Sequence, residues 1–247
     1  MIIRPASRPA FPPAAKAAAL LLIGALLPGL AARPAVASEE SVDQVTRSAL
    51  ALDAHPAKGR LEFREHCAKC HGPAGLGDAA AVVPAIAGQR FAYLVRQLAN
   101  LSGDQRDSAT MHRVLSAPPL RGPQAWVDVA AYLNAAPPLR RAATGEGGQT
   151  ALGKGIFLEQ CSSCHRNDAS GDDDGFVPSL RAQHYAYLVN QMNRLADGER
   201  HNVDEALVQF LRSFDADEIR AVADYLSRLQ GRGTVHRTMR SNGVVVD

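Results

Sequence analysis

The chain repeats itself. At a fixed offset of 94 residues, Gly59 matches Gly153, Phe63 matches Phe157, Cys67 matches Cys161, His71 matches His165 and Pro84 matches Pro178. The same offset runs without a gap through Gln89 and Gln183, Tyr93 and Tyr187, Leu94 and Leu188, Gln97 and Gln191, Leu101 and Leu195, and Arg106 and Arg200. Further on, Val129-Ala130-Ala131-Tyr132-Leu133 matches Val222-Ala223-Asp224-Tyr225-Leu226 at an offset of 93, so one residue is lost between. Duplication on this scale predicts two domains of roughly 100 residues each. Residues 38–136 form the first, 137–150 a linker, 151–232 the second and 233–247 a polar tail. Pro137, Pro138, Gly145, Gly147 and Gly148 break any helix through the linker.

Three main helices are predicted in each unit. One ends at the cysteine motif, one lies around Arg90–Leu101 (Gln183–Leu195), and one around Gln124–Asn134 (Asp217–Leu229). In the last helix of the first unit Trp126, Val129, Ala130 and Leu133 share a face, and in the second Ile219, Val222, Ala223 and Leu226 do. No segment sustains the alternation of a strand. The fold class is all-α.

All four cysteines fall in two copies of Cys-x-x-Cys-His, Cys67 to His71 and Cys161 to His165. Cysteines three apart on a helical turn present both sulfurs on one side, where they can form thioethers with the two vinyl groups of a porphyrin; the following histidine can then face the iron. That is the attachment pattern of c-type haem. Zinc would need four donors converging on one ion, yet the two pairs stand far apart and each has its own histidine. A thioredoxin-like centre wants the pair between a strand and a helix, whereas Arg60 to His66 reads as helix. Plain disulfides would leave a colourless protein. A domain of this size buries little apolar surface alone, and with aromatic residues at 5% of the chain, two porphyrins would supply core mass the side chains lack.

Export is expected. Arg4, Arg8 and Lys16 make a basic stretch, Ala17 to Leu30 is apolar, and Ala35-Val36-Ala37 reads as a cleavage signal, giving a leader over 1–37 and a periplasmic destination. The apolar run is shorter than the ~20 residues that span a bilayer, and no later segment is apolar enough to do so. Cleavage removes four basic residues and no acidic one, turning the formal charge of +2 into −2. With no basic stripe interleaved with aromatics, nucleic-acid binding is not expected.

At this point the chain resembles the dihaem class I cytochromes c, in particular the cytochrome c4 family, over about Gly59 to Leu229. The resemblance rests on the two haem motifs, on Ala87-Gly88-Gln89 with Tyr93-Leu94 and Gln97-Leu98, on Met111, and on the closing Val-Ala-x-Tyr-Leu of each half. It implies two tandem helical domains, each wrapped around one covalently attached haem c, whose first and last helices cross near Gly59, Phe63 and Tyr132, and near Gly153, Phe157 and Tyr225. It also implies thioether anchors at Cys67, Cys70, Cys161 and Cys164, proximal iron ligands at His71 and His165, and a distal ligand at Met111, in a loop before the last helix, with His112 its competitor. Members pass single electrons in the periplasm toward haem-copper terminal oxidases or other acceptors, so a carrier between redox proteins that acts on no substrate itself is expected, with the haem subunit of a periplasmic dehydrogenase complex as the alternative.

The second half departs from the pattern. Carrying Met111 across by either offset lands on Glu205 or Asp204. His201, beside Arg200, is the candidate sixth ligand; an open iron, which would suit a sensor or enzyme, and Met239 are the alternatives. Met192 falls in a predicted helix opposite Leu98 and reads as packing. His184 reads as a surface or propionate contact, and Gly171 to Gly175 as a solvated acidic loop able to dock a basic partner.

Overall fold

A computed structural model of the chain describes residues 39–232. The expected leader, the tail and Met239 lie outside the described residues. The first half contains α1 (Glu39–Leu50), α2 (Pro56–Glu62), α3 (Ala68–His71), α4 (Phe91–Ser102), α5 (Ala109–Ser116) and α6 (Pro123–Ala135). The second contains α7 (Thr150–Ile156), α8 (Ser162–His165), α9 (Tyr185–Ala196), α10 (Glu205–Arg212) and α11 (Ala216–Arg228). No strand forms among the described residues beyond isolated bridges, so the fold is all-α. None of the described helices is long and apolar enough to cross a membrane.

Local signals explain where the helices begin. Pro123 opens α6 in its first turn, where the missing N–H costs nothing. α11 starts with a capping box in which Asp215 accepts from the N–H groups of Asp217 and Glu218 while Glu218 accepts from that of Asp215. On α4, Phe91, Leu94 and Val95 and the half-buried Leu98 follow one helical stripe onto the core.

Within each half, the first and last helices cross with backbone touching backbone. A Cβ on Gly59 would lie 1.9 Å from the Asp128 carbonyl oxygen, and one on Gly153 would lie 1.9 Å from that of Ala221. Beside each crossing an aromatic pair packs at a tilt, Phe63 with Tyr132 at 5.5 Å and Phe157 with Tyr225 at 5.7 Å between ring centroids. Both phenylalanines are fully buried. The crossings therefore fall at the glycine and aromatic positions the resemblance implies.

Several features differ from the sequence expectation. α1, absent from the three-helix reading, adds Val42, Thr46 and Ala49 to the first core. α5 and α10 are helices as well. Met111 thus sits on a helix and not in a loop, because Ser108 caps α5 by accepting from the Met111 N–H at 3.4 Å. Asp204 caps α10 in the same way. The caps set a new register: Ser108 corresponds to Asp204 at an offset of 96, before α6 and α11 return to 93. The second half gains two residues after Arg200 and loses three before α11. Met111 therefore corresponds to Leu207, not to Glu205 or Asp204.

Candidate functional site

Each cysteine motif is built on the helix that the glycine crossing fixes. As α2 runs into α3 and α7 into α8, the chain passes through one turn of π-helix, Phe63–Cys67 and Phe157–Cys161. Wider turns of this kind are frequent at functional sites. Here the turn anchors the motif through a fully buried phenylalanine at its start.

The four thiols are unbonded; Cys67 and Cys161 are half-buried, Cys70 and Cys164 exposed. Burial, then Glu62 and Cys70, pushes the Cys67 thiol up to about 11, and burial, then Cys164, pushes Cys161 up to about 11. These two thiols stay protonated at neutral pH, unlike the lowered thiol that drives thioredoxin-like exchange. Among the described residues, no three His, Cys, Asp or Glu side chains group as they would around a metal ion.

Both histidines are held by backbone. His71 Nδ1 lies 3.2 Å from the Pro84 carbonyl oxygen, and His165 Nδ1 lies 3.3 Å from that of Pro178. A carbonyl can only accept, so Nδ1 carries the proton and Nε2 keeps its lone pair free for a metal. Burial pushes both imidazoles down from their ordinary range, against the raising effect of those carbonyl bonds, which keeps them neutral. Pro84 and Pro178 matched in the repeat, yet nothing in the sequence marks their carbonyls as orienting groups.

The remaining expected residues are placed as follows. Met111 is half-buried against the first core cluster, together with Cys67 and Leu98. His112 lies with Nδ1 2.7 Å from the Asp104 carboxylate and Nε2 3.2 Å from Ser116 Oγ, so its ring is engaged away from that cluster. His201 is exposed and lines a cleft of about 590 Å³ shared with Asp43 and Arg96 of the first half. His184 is buried, contrary to expectation: its Nδ1 accepts from the Ala143 N–H at 3.3 Å and its Nε2 donates to the Leu76 carbonyl at 2.9 Å.

Contacts between the halves join the two loops that orient these histidines. Gln89 donates to the Ser179 carbonyl at 2.9 Å and accepts from the Ser179 N–H at 2.8 Å. Its repeat partner Gln183 donates to the Ala85 carbonyl at 2.8 Å and accepts from the Ala85 N–H at 3.0 Å. Ser179 and Ala85 directly follow the prolines that orient His165 and His71. Each half thus grips the histidine-orienting loop of the other with a reciprocal pair of hydrogen bonds.

Two other contacts cement the interface. The acidic loop docks the chain's own first half: Asp173 lies 3.3 Å from Arg90 and accepts from the Ala92 N–H at 2.9 Å, and Arg96 stacks over Phe176. It is therefore not the solvated loop expected, because its basic partner lies in the same chain. Nearby, Arg106 donates to Gln97, Tyr187 and Gln191, and Arg200 to Gln191, Gln97 and Asn202. Burial and the adjacent Arg106 push the Arg200 guanidinium down from its ordinary range, against the raising influence of Tyr93 and Tyr187.

The donor set fits a covalently held porphyrin in each half: two unbonded thiols beside a neutral imidazole with Nε2 free, bordering an apolar cluster. Comparison with known proteins agrees. The family model for cytochrome c matches residues 56–136 and again 150–230. The chain belongs to the cytochrome c family. It is a dihaem, cytochrome c4-like protein of electron transfer with two covalently bound haem c groups. It is 31% identical over 179 residues to a thiosulfate dehydrogenase electron acceptor of Stutzerimonas stutzeri (strain A1501), spanning 68% of this chain and 81% of that protein. It is 28% identical over 179 residues to cytochrome c4 of Azotobacter vinelandii, spanning 66% and 84%. The structure of reduced cytochrome c4 from Pseudomonas stutzeri superposes with a TM-score of 0.64 at 23% identity, covering 72% of this chain and all of that one, a likeness of fold.

Proposed function

We propose that the chain is an exported single-electron carrier of a periplasm or its equivalent. Cys67 and Cys70 would anchor one haem, with His71 and Met111 holding its iron; Cys161 and Cys164 would anchor the other, with His165 holding its iron. When bound, each haem stores one electron through its ferric/ferrous iron couple. The observation that carries this reading is the double glutamine grip, which ties the two histidine-orienting loops to one another and so favours exchange within the molecule. Unbonded thiols and carbonyl-held imidazoles would serve attachment and ligation, and the chain itself would act on no substrate bond. Its partners are redox proteins met through small, brief contacts, a terminal oxidase or another respiratory acceptor among them.

Similarity to a thiosulfate dehydrogenase electron acceptor favours a second reading, in which one dehydrogenase is the dedicated donor. One experiment separates them. The reduced, haem-loaded protein is mixed rapidly with membranes containing a haem-copper oxidase, and the oxidised protein with a thiosulfate dehydrogenase and thiosulfate. Fast oxidation in the first arm supports the carrier reading; reduction in the second with no oxidation in the first replaces it with the dedicated-acceptor reading.

A further inference from the structure

The helix register exposes a reciprocal exchange between the halves. Offset 94 on the paired helices α4 and α9 sets Leu98 against Met192, and offset 96 on α5 and α10 sets Met111 against Leu207. Each half has one methionine and one leucine at these two positions, in opposite places. Leu207 has no electron pair to donate and is 39% exposed. Met192 is the one methionine among the described residues of the second half, and its sulfur is the kind of donor that Met111 offers in the first.

We infer that Met192 is the sixth ligand of the second haem, its thioether reaching the iron from α9 instead of α10. This rests on the two-haem reading with His165 as the fifth ligand. Tyr185, Leu188, Val189 and Met192 follow one helical stripe onto the second core cluster, and Cys161 borders that same cluster. In the first half Leu98, Met111 and Cys67 border the corresponding cluster together, so positions 98 and 111 both face the apolar core beside the cysteine motif. A thioether moved from one position to the other keeps the ligand chemistry while the helix that carries it changes. The competing imidazoles are placed elsewhere. His184 has both ring nitrogens committed to backbone groups, and His201 opens onto a cleft bounded by Asp43 and Arg96 of the first half. With a thioether on both irons, the two centres would have similar potentials, and the molecule would hold two nearly equivalent electrons without an internal downhill step.

The test uses the full-length, haem-loaded protein with two haems counted as pyridine haemochrome, a count independent of the sixth ligand. The readouts are the weak far-red band of methionine-bound ferric haem, low-temperature EPR, and carbon monoxide uptake after reduction. In the wild type, far-red intensity for two centres and no uptake are expected. Met192→Leu, which installs the residue already present at position 98 and conserves volume, should halve the band, create one high-spin centre and admit one carbon monoxide per chain. Adding Leu207→Met should restore the band by returning the thioether to the position of Met111. His201→Ala should match the wild type. Far-red intensity for a single centre in the wild type overturns the assignment without any variant, as would one carbon monoxide bound by it, or a second haem opened by His201→Ala. None of these outcomes bears on whether the reduced protein delivers electrons to an oxidase.

Discussion

The tightest geometric constraint in the second half predicts a large contrast between two substitutions two residues apart. Gly153 and Gly155 lie in the same short helix, so Gly→Ala gains the same helix propensity at either, about 0.5–1 kcal/mol. Their surroundings differ completely. A Cβ at Gly155 meets nothing within 4 Å, whereas one at Gly153 would lie 1.9 Å from the Ala221 carbonyl oxygen, 2.3 Å from its carbon and 2.8 Å from the Val222 nitrogen. Real Cβ atoms essentially never come closer than 3.0 Å to such an atom, so α7 and α11 must part by on the order of 1 Å. Because the obstacle is backbone, no side chain can swing aside, and parting the helices loosens Phe157 against Tyr225 as well. Gly153→Ala should cost about 3 kcal/mol, the upper end of overpacking, while Gly155→Ala should be neutral or slightly stabilising. For a half of this size, that lowers its melting temperature by roughly 12–24 °C in the first variant and leaves it unchanged or raises it by a few degrees in the second. Thermal unfolding of the haem-loaded protein followed by circular dichroism reads both. Equal shifts in the two variants, or a Gly153→Ala loss below about 1 kcal/mol, would refute the crossing as the keystone of the half.

Three further outcomes are expected. Arg166 follows the second motif at φ 65°, ψ 154°, the conformation Gly72 adopts after the first at φ 76°, ψ 157°. A side chain there is strained by about 1–3 kcal/mol, and the exposed ion pair of Arg166 with Asp172 offsets little of it, so Arg166→Gly should stabilise the second half by about 1 kcal/mol in denaturant titration; a loss would mean the ion pair dominates. Slight burial pushes the Asp168 carboxyl up, but bonds from Ser170 and the charge of Arg181 outweigh it and hold the group below the usual carboxylate range. The folded form then binds its proton more weakly than the unfolded chain, so this contribution is complete above the ordinary carboxylate pKa and is lost as pH falls through the lowered one. Melting temperatures measured from pH 6 down to pH 3 should fall less steeply in Asp168→Asn than in the wild type, and parallel curves would dismiss the group. Finally, Gln89→Leu strips both backbone groups of Ser179 of their partner and should cost about 2–4 kcal/mol. Its effect on potential should appear at the second haem, and that of Gln183→Leu at the first, as potentiometric titration of each centre would show.

Much of the architecture was legible because it depends on patterns local in sequence. Helical stripes, the linker's glycines and prolines and the duplicated motif each mark their own position, and Gly59 recurs as Gly153 because a Cβ at either would strike the facing backbone. The π-turns left no such mark, since one extra residue in a backbone hydrogen-bond ring changes no side-chain pattern. The register of α10 was hidden for a related reason: an insertion after Arg200 followed by a longer deletion leaves a net offset of one, and only the caps at Ser108 and Asp204 reveal where each occurred. His184 and Asp173 were misread as surface groups because their partners, Leu76, Ala143, Arg90 and Ala92, are remote in sequence. Burial by the other half of a duplicated chain is invisible to an analysis that treats each half alone.

The same duplication explains why the glutamines are more than interface decoration. Gln89 belongs to the first half by sequence, yet the loop it holds orients His165; Gln183 belongs to the second, yet it holds the loop that orients His71. A half separated from its partner would keep its cysteines, its histidine and its helix crossing but lose the group that fixes the loop behind the imidazole. The pairing is reciprocal, so one interface serves two sites with two residues. It also sets a limit on divergence. The second half carries Arg166 where the first has Gly72 and, by the inference above, its thioether on another helix, and both differences stay within its own half. Ala85 and Ser179 show what the grip itself permits: their side chains differ, while both are held through backbone N–H and C=O alone. A change to either glutamine would act across the interface on a histidine it does not touch.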